Sequence, residues 1–467
     1  MNRMSQSVMR AWAGLGARYL PFADAATADV PLGRLLRLSL FQVAAGMTLV
    51  LLVGTLNRVM IVELHVPASL VAIMLALPLV FAPFRALVGF KSDTHRSELG
   101  WKRVPYIYKG TMVQFGGLAL MPFALLVLAR QGHAAEVPAW VGQVAAAAAF
   151  LLVGAGLHIT QTVGLALATD LTPPEKQPNV VGLMYVALLF GSIVSALIFG
   201  ALLVNFSHGR LVQVIQGAGV LTVLLNGIAV WKQEARGTAH RPAAASADPG
   251  FQESWACFIA GDKALARLVA VGVGTLAFSM QDVMLEPYGG QVLGLAVSRT
   301  TVLTAAMAGG GLLGFSLASY VLSRGFDPFR MASLGAMVGV PAFILIMAAA
   351  PLGSPLLFGF GTLLIGFGGG LFGHGTLTAT MSHAPEDQRG LALGAWGAVQ
   401  ATAAGVGVAL GAVIRDGMAA LDGGSTVVPY LAVYGLEVIL LLAAIVTMTH
   451  LIRSPNAASG GMTAPVQ

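Results

Sequence analysis

The stretch Leu268–Gly290, LVAVGVGTLAFSMQDVMLEPYGG, decides the fold. It opens with an apolar run, Leu268–Met280, that makes up the greater part of a membrane span. Two carboxylates follow, Asp282 and Glu286, at the i,i+4 spacing that puts both on one helix face, and Pro287 comes directly after them. A charge at the bilayer centre costs about 2.5–3.5 kcal/mol on insertion scales, so it is paired, set in an aqueous cavity, or held near the interface. Two acids ahead of a helix breaker therefore mark either an organising position inside the membrane or a pair of ordinary loop acids at its surface.

The rest of the chain shares this character. Of 467 residues, 57% are hydrophobic and only 10% charged, with mean hydropathy +0.80, whereas a soluble domain has about 25% charged residues. This is the composition of an all-α polytopic membrane protein. The formal net charge of +6 is spread over short basic loops, as topology requires, and does not point to nucleic acid. One cysteine, Cys257, excludes an intramolecular disulfide. The first residues are basic and semi-polar with no apolar core before a small-residue cleavage site, so no cleavable signal peptide is expected.

Spans of about 20 apolar residues recur along the chain. The pattern predicts helices over Leu35–Leu64, Ala68–Phe90, Val104–Ala129, Val141–Thr169, Val180–Phe206 and Leu211–Trp231. After a polar linker it predicts Ala264–Leu285, Thr300–Leu322, Met331–Pro351, Pro355–Met381, Gly390–Ile414 and Val427–Leu451, twelve spans in all. The implied organisation is a segment 1–34, a six-helix half 35–231, a linker 232–263, a second half 264–452 and a tail 453–467. Five of the 26 Lys and Arg (Arg58, Arg130, Arg210, Arg299, Arg415) fall near one face and Arg85 lies within helix 2. The others gather at the opposite face, which places both termini and the linker in the cytoplasm. Asn2–Pro21 carries Arg3, Arg10 and Arg18 around an apolar stripe, and Phe251, Trp255, Phe258 and Ile259 share a face in the linker; both suit short surface helices.

The halves echo each other. Ala168–Gln177 aligns with Ala379–Gln388 at an offset of 211, with five of ten positions identical. LNRVMIVE, Leu56–Glu63, corresponds to MQDVMLE, Met280–Glu286, so that Arg58 stands where the second half has Asp282. A six-helix unit repeated in one orientation is the pattern of major facilitator transporters, whose halves meet around a midplane site. A pseudo-twofold axis makes these helix ends neighbours, and Arg58, Glu63, Asp282 and Glu286 become an inter-half charge set. The expectation is a pair between Arg58 and Asp282 or Glu286.

Three further groups are candidates. Arg85, Gly89 and Asp93 stand four apart, and Gly89-x-x-x-Asp93 followed by Gly100, Lys102 and Arg103 resembles the major facilitator loop signature. It carries about four extra residues before Gly100, which alters the hinge; a latch between helices and a solvated topology loop both remain open. His158 in helix 4 and His374 in helix 10 are intramembrane imidazoles, able either to bridge helices or to ligate a metal such as the magnesium of a chlorin. Gly309-Gly-Gly311 and Gly366–Gly375 lie inside spans and read as close helix packing or as room for a flat ligand. No His/Cys/carboxylate cluster has metal-site spacing, no P-loop is present, and no hydrolase triad is recognisable. No catalytic residue and no metal are expected.

Together LNRVMIVEL (Leu56–Leu64), GFKSDTHRSELGWKRVPYI (Gly89–Ile107) and FSMQDVMLEPYGGQVLG (Phe278–Gly294) resemble the PucC/LhaA family of purple photosynthetic bacteria. This is the bacteriochlorophyll delivery branch of the major facilitator superfamily. LPFADAATADV, Leu20–Val30, is similar to the LhaA type. The resemblance spans essentially the whole chain. It implies a multi-pass protein of the intracytoplasmic photosynthetic membrane that assists assembly of a light-harvesting antenna, the core antenna favoured over the peripheral one. It also implies bacteriochlorophyll as a transient ligand, contacted by His158 or His374. The implied partners are membrane lipids, antenna polypeptides, chlorophyll synthase and protein-insertion machinery. A proton-coupled transporter of a small solute and a pigment-free scaffold that limits antenna oligomerisation are the competing readings.

Overall fold

Each apolar run becomes a helix because, in lipid, a backbone polar group can be satisfied only within its own segment or its neighbours. A computed structural model of the chain describes residues 26–27, 29–81, 88, 92, 101–130, 136–173, 176–234, 259, 263–383, 389–421 and 424–452. The surface helices expected over Asn2–Pro21 and in the linker, Cys257, the tail, and Arg85, Gly89, Asp93 and Gly100 of the loop signature lie outside these residues, apart from Ile259.

The first six helices are α1 Leu32–Glu63, α2 from Ala68 through a tight turn ending at Phe81, α3 Val104–Leu128, α4 Ala139–Asp170, α5 Gln177–Leu202 and α6 His208–Val230. The second six are α7 Ala264–Gln291, α8 Val297–Leu322, α9 Pro328–Ala349, α10 Pro355–His383, α11 Arg389–Leu421 and α12 Val428–Thr449. Among the described residues eleven of these are long and apolar enough to cross a membrane, and the shorter apolar helix Ala68–Leu79 stands at the position of the twelfth. Proline in the first turn starts α3, α5, α9 and α12, where its missing N–H is not needed. Side-chain caps from Ser207 and Asp327 start α6 and α9.

Two boundaries differ from expectation for a physical reason. The sequence predicts that helix 7 stops at Leu285 before Pro287. Instead α7 tightens to a 3-10 turn over Met280–Val283 and restarts as Leu285–Gln291. Pro287 thereby falls in a first turn, where a proline is tolerated. α11 runs on to Leu421, past the expected end at Ile414, so Arg415 and Asp416 are helical.

The start of α1 is tied to the end of α6 by Arg34 and Gln233, and the start of α7 to the end of α12 by Lys263 and the His450 carbonyl. We call this the terminal end of the bundle and its opposite the distal end. Inside each half, polar side chains join helices where lipid offers no partner: Gln114 donates to Thr48 at 2.7 Å, Asn226 to Thr111 at 2.9 Å. Backbones meet closely at α8 and α10, where Gly310 faces the Leu363 carbonyl and Gly366 the Met307 carbonyl. The glycine runs thus serve close packing at Gly310, Gly314, Gly366 and Gly370, while Gly309 and Gly373 have open space beside them. Large apolar side chains such as Phe123, Trp140 and Leu356 point outward, as a lipid-facing surface requires.

Candidate functional site

The charge set converges where α1 meets α7 and α8. α1 is π-helical over Val50–Leu56 and again over Val59–Glu63, a conformation that is rare and frequent at functional sites. Arg58, 4% exposed, sits between the two stretches. Its guanidinium donates to Glu63 on its own helix and, at 3.0 Å, to the Leu295 carbonyl beyond α7. Gly290 of α7 lies flat against it, since an added Cβ would stand 3.2 Å from Nε and Nη2. Asn57 donates to the Val283 carbonyl at 3.1 Å, and the hydroxyls of Thr55 and Thr301 approach to 3.4 Å. The end of the first helix is thereby joined to the second half along about one turn, Thr55 to Arg58.

The expected ion pair takes a different form. Arg58 bonds Glu63, not Asp282 or Glu286. Glu286, 3% exposed, accepts a hydrogen bond from the Thr304 hydroxyl of α8, and Gly54 of α1 packs directly over its carboxyl. Arg58 makes its bonds to Glu63 and the Leu295 carbonyl instead, and Glu286 makes its own to Thr304. The 3-10 turn is the cause: it resets the register between Asp282 and Glu286, so the i,i+4 face read from the sequence is broken. Asp282 accepts from the Gln281 side-chain amide at 2.6 Å, on a turn that packs against α12, the helix of Glu437.

Glu437 escaped the sequence reading. It is 0% exposed, with the Gln281 backbone N–H at the 3-10 turn of α7 directed toward its carboxyl. The signal was present: a lone acid in the middle of VPYLAVYGLEVILLLAAIVTMT is a functional-site candidate by the intramembrane-charge rule.

A second inter-half contact lies nearby at the distal end. Asp416 of α11 accepts the backbone N–H of Ser69, in the first turn of α2, at 2.7 Å. Pro67 precedes α2 without a side-chain cap, so the carboxylate from the other half performs that service. Arg415 holds Asp416 at 2.8 Å and Gln291 at 2.8 Å, and Tyr430 donates to the same Gln291 oxygen at 2.6 Å. These four inter-half hydrogen bonds, from Thr55, Asn57, Arg58 and Ser69, sit in the distal part of the bundle.

At the terminal end, Arg103 donates from Nε to Asp170 at 3.0 Å and from Nη1 to Ser92 at 2.6 Å. The Glu234 carboxylate accepts the backbone N–H groups of Lys102, Arg103 and Val104 and so caps α3. Lys102 and Arg103 thus belong to a junction of α3, α4 and α6. His374 packs against Phe315 with ring centroids 4.3 Å apart, while His158 is half-buried on α4. The two imidazoles are not brought together with the charge set. Among the described residues no group of three or more His, Cys, Asp or Glu could hold a metal ion.

Arg58→Gln is expected to lower the melting temperature through loss of charged hydrogen bonds, about 1.5–3 kcal/mol in all. Glu63→Gln should cost less, because Glu63 is one-third exposed. In double-mutant cycles Arg58→Gln should couple with Glu286→Gln and add independently to Asp282→Asn. Additivity in both cycles would remove Glu286 from the joint.

Comparison with known proteins then places the chain. The "PUCC protein" family model matches residues 55–456. A protein called PucC from Rhodovulum sulfidophilum is 62% identical over 418 residues, covering 89% of this chain and 92% of the relative. Another PucC, from Cereibacter sphaeroides, is 57% identical over 463 residues, covering 98% of this chain and 99% of its own length. Among solved structures, an inward-facing, unoccupied bacterial homologue of the human lysosomal transporter Spinster superposes with TM-score 0.67. At 14% identity, over 91% of this chain and 98% of that one, it shares the fold alone. The molecule is thus a multi-pass membrane protein with the major facilitator architecture, and by sequence it belongs to the PUCC protein family.

Proposed function

We propose that the chain is a non-enzymatic assembly factor for a bacterial light-harvesting antenna, receiving bacteriochlorophyll and passing it to antenna polypeptides in the photosynthetic membrane. Family membership over residues 55–456 is the observation that carries this reading. The PucC name of the relatives favours the peripheral-antenna branch over the core-antenna branch suggested by Leu20–Val30. Both termini face the cytoplasm in this reading, on the strength of the basic residues at that end.

Bacteriochlorophyll is an apolar, photoreactive cargo that needs a binding surface screened from water. His374 offers an imidazole, the Phe315 ring beside it offers an aromatic face, and Gly373 leaves open space where a side chain would stand. These three features suit a flat macrocycle with a magnesium centre, and they make His374 a stronger candidate than His158. The chain's own part is to bind, orient and exclude water, while the distal joint keeps the two halves in register.

Deleting the gene should remove antenna absorbance while total pigment synthesis continues, and the full chain purified from pigment-making cells should carry bacteriochlorophyll. His374→Leu should reduce the bound pigment several-fold with unchanged protein yield. Antenna loss with pigment-free protein would replace this reading with a scaffold. A nutrient-uptake defect with normal antenna would replace it with solute transport.

A further inference from the structure

The first turns of α1 and the exit of α6 form an open pocket of about 400 Å³ at the terminal end, lined by Gly33, Arg34, Arg37, Lys232 and Gln233. Three of its five lining residues are cations, and none of the described lining residues is an acid. Arg34 is held in a fixed pose: Nε donates to the Gln233 side-chain oxygen at 3.0 Å and Nη2 to its backbone oxygen at 2.7 Å. The Gln233 amide returns a bond to the Arg34 carbonyl at 3.2 Å. Arg37 stands one turn on, on the same helix face, and its Nε is buried without a partner. Lys232 completes the cluster from a left-handed turn, φ 52°, just past the end of α6.

A neighbouring pocket holds the nearest acids among the described lining residues. It shares Arg34 and Gln233 and adds Asp170 and Glu234, but those carboxylates are committed, one to Arg103 and the other to the start of α3. Depth identifies the partner. α1 has 32 residues, about 40 Å or more at 1.5 Å per α-helical residue and less where it is π-helical, so its ends project beyond a hydrocarbon core of about 30 Å. Trp231, 65% exposed and adjacent to Lys232, and Tyr108, 63% exposed on α3, mark the headgroup level as interfacial aromatics do.

We propose that Arg34, Arg37 and Lys232 form a binding site for the phosphate of an anionic phospholipid headgroup, wedged between α1 and α6. A phosphodiester supplies the acceptor oxygens that a guanidinium fork binds in pairs, and basic pockets between membrane helices take such headgroups. Solvated topology charges would need neither convergence on one pocket nor an arginine held in a pre-set pose. The site goes beyond antenna assembly and stands whether or not the chain handles pigment.

Native mass spectrometry of the full chain, released from detergent with phosphatidylglycerol or phosphatidylcholine, tests it. The wild type should retain one phosphatidylglycerol, and the double variant Arg37→Gln/Lys232→Gln should hold it at least about tenfold more weakly, since each charged hydrogen bond is worth about that factor. Lys109→Gln, which removes an exposed cation at the same end, should leave retention unchanged. Inorganic phosphate at millimolar concentration should not displace the lipid; full displacement would reassign the site to free phosphate. Equal retention by the double variant, equal retention of phosphatidylcholine, or equal weakening by Lys109→Gln would overturn the proposal. Melting temperatures of the lipid-free variants, expected to match the wild type, separate lost binding from lost folding.

Discussion

Gly366→Leu is expected to abolish correctly folded protein in the membrane. A Cβ at that position would stand 1.9 Å from the Met307 carbonyl oxygen, 2.7 Å from its carbon and 3.0 Å from the Gly311 nitrogen. All three are backbone atoms, so no rotamer change relieves the clash, and α8 and α10 must separate along their whole crossing. Overpacking of a well-packed core costs typically 1–3 kcal/mol and more where nothing can move; about 3 kcal/mol is the minimum here. Without a hydrophobic drive between helices in lipid, close backbone approach is a main source of their attraction, and it is what the substitution removes. Gly309→Ala and Gly373→Ala have nothing within 4 Å of the new carbon and should give wild-type yields. Size-exclusion profiles of the three variants from equal membrane fractions decide the matter, and a monodisperse Gly366→Leu peak at wild-type height would refute the packing argument.

The second large effect concerns the segment after the break in α7. Tyr288 is fully buried, with ring centroids 5.4 Å from Tyr430, 5.4 Å from Tyr434 and 5.5 Å from Phe358. Its hydroxyl donates to the Ile346 carbonyl at 3.2 Å. Tyr288→Ala should cost about 3 kcal/mol, the low end for buried aromatic truncations, because in lipid the packing and cavity terms remain while most of the transfer term is absent. Tyr288→Phe keeps the ring and loses one hydrogen bond, about 1 kcal/mol. The truncation should also weaken the Arg58 joint, since Glu286 and Gly290 flank Tyr288 on the same short helix. Thermal unfolding of the two variants, combined with Arg58→Gln, would show this as non-additivity for Ala and additivity for Phe. Equal losses for Ala and Phe would reduce the aromatic cluster to a bystander.

The helices were legible because apolar length is a local property. Leu268–Met280 announces a span by itself, and the pairing of Leu56–Glu63 with Met280–Glu286 locates the meeting of the halves. Partner choice was not legible, because it depends on register across helices. The pair drawn from Arg58 to Asp282 or Glu286 rested on regular i,i+4 spacing between the two acids, and a 3-10 turn that no single residue signals breaks that spacing. Glu437 was illegible for a different reason: its helix contributes no match to the repeat, so nothing in the sequence ties it to the charge set. Arg415 was read only as a topology marker, since nothing local says that its neighbour Asp416 reaches a helix 347 positions away in sequence.

That reach has a consequence for what counts as a unit. The amide at the start of α2 is satisfied by a carboxylate that arrives only when the other half is in place. Drawing the halves apart at the distal end would break a surface contact and also leave a helix with a bare first turn, prone to unwind from its tip. A first half made on its own would begin α2 frayed, however faithfully its remaining helices folded. The repeat therefore describes ancestry and symmetry better than autonomy: secondary structure on one side of the interface is completed by a side chain from the other.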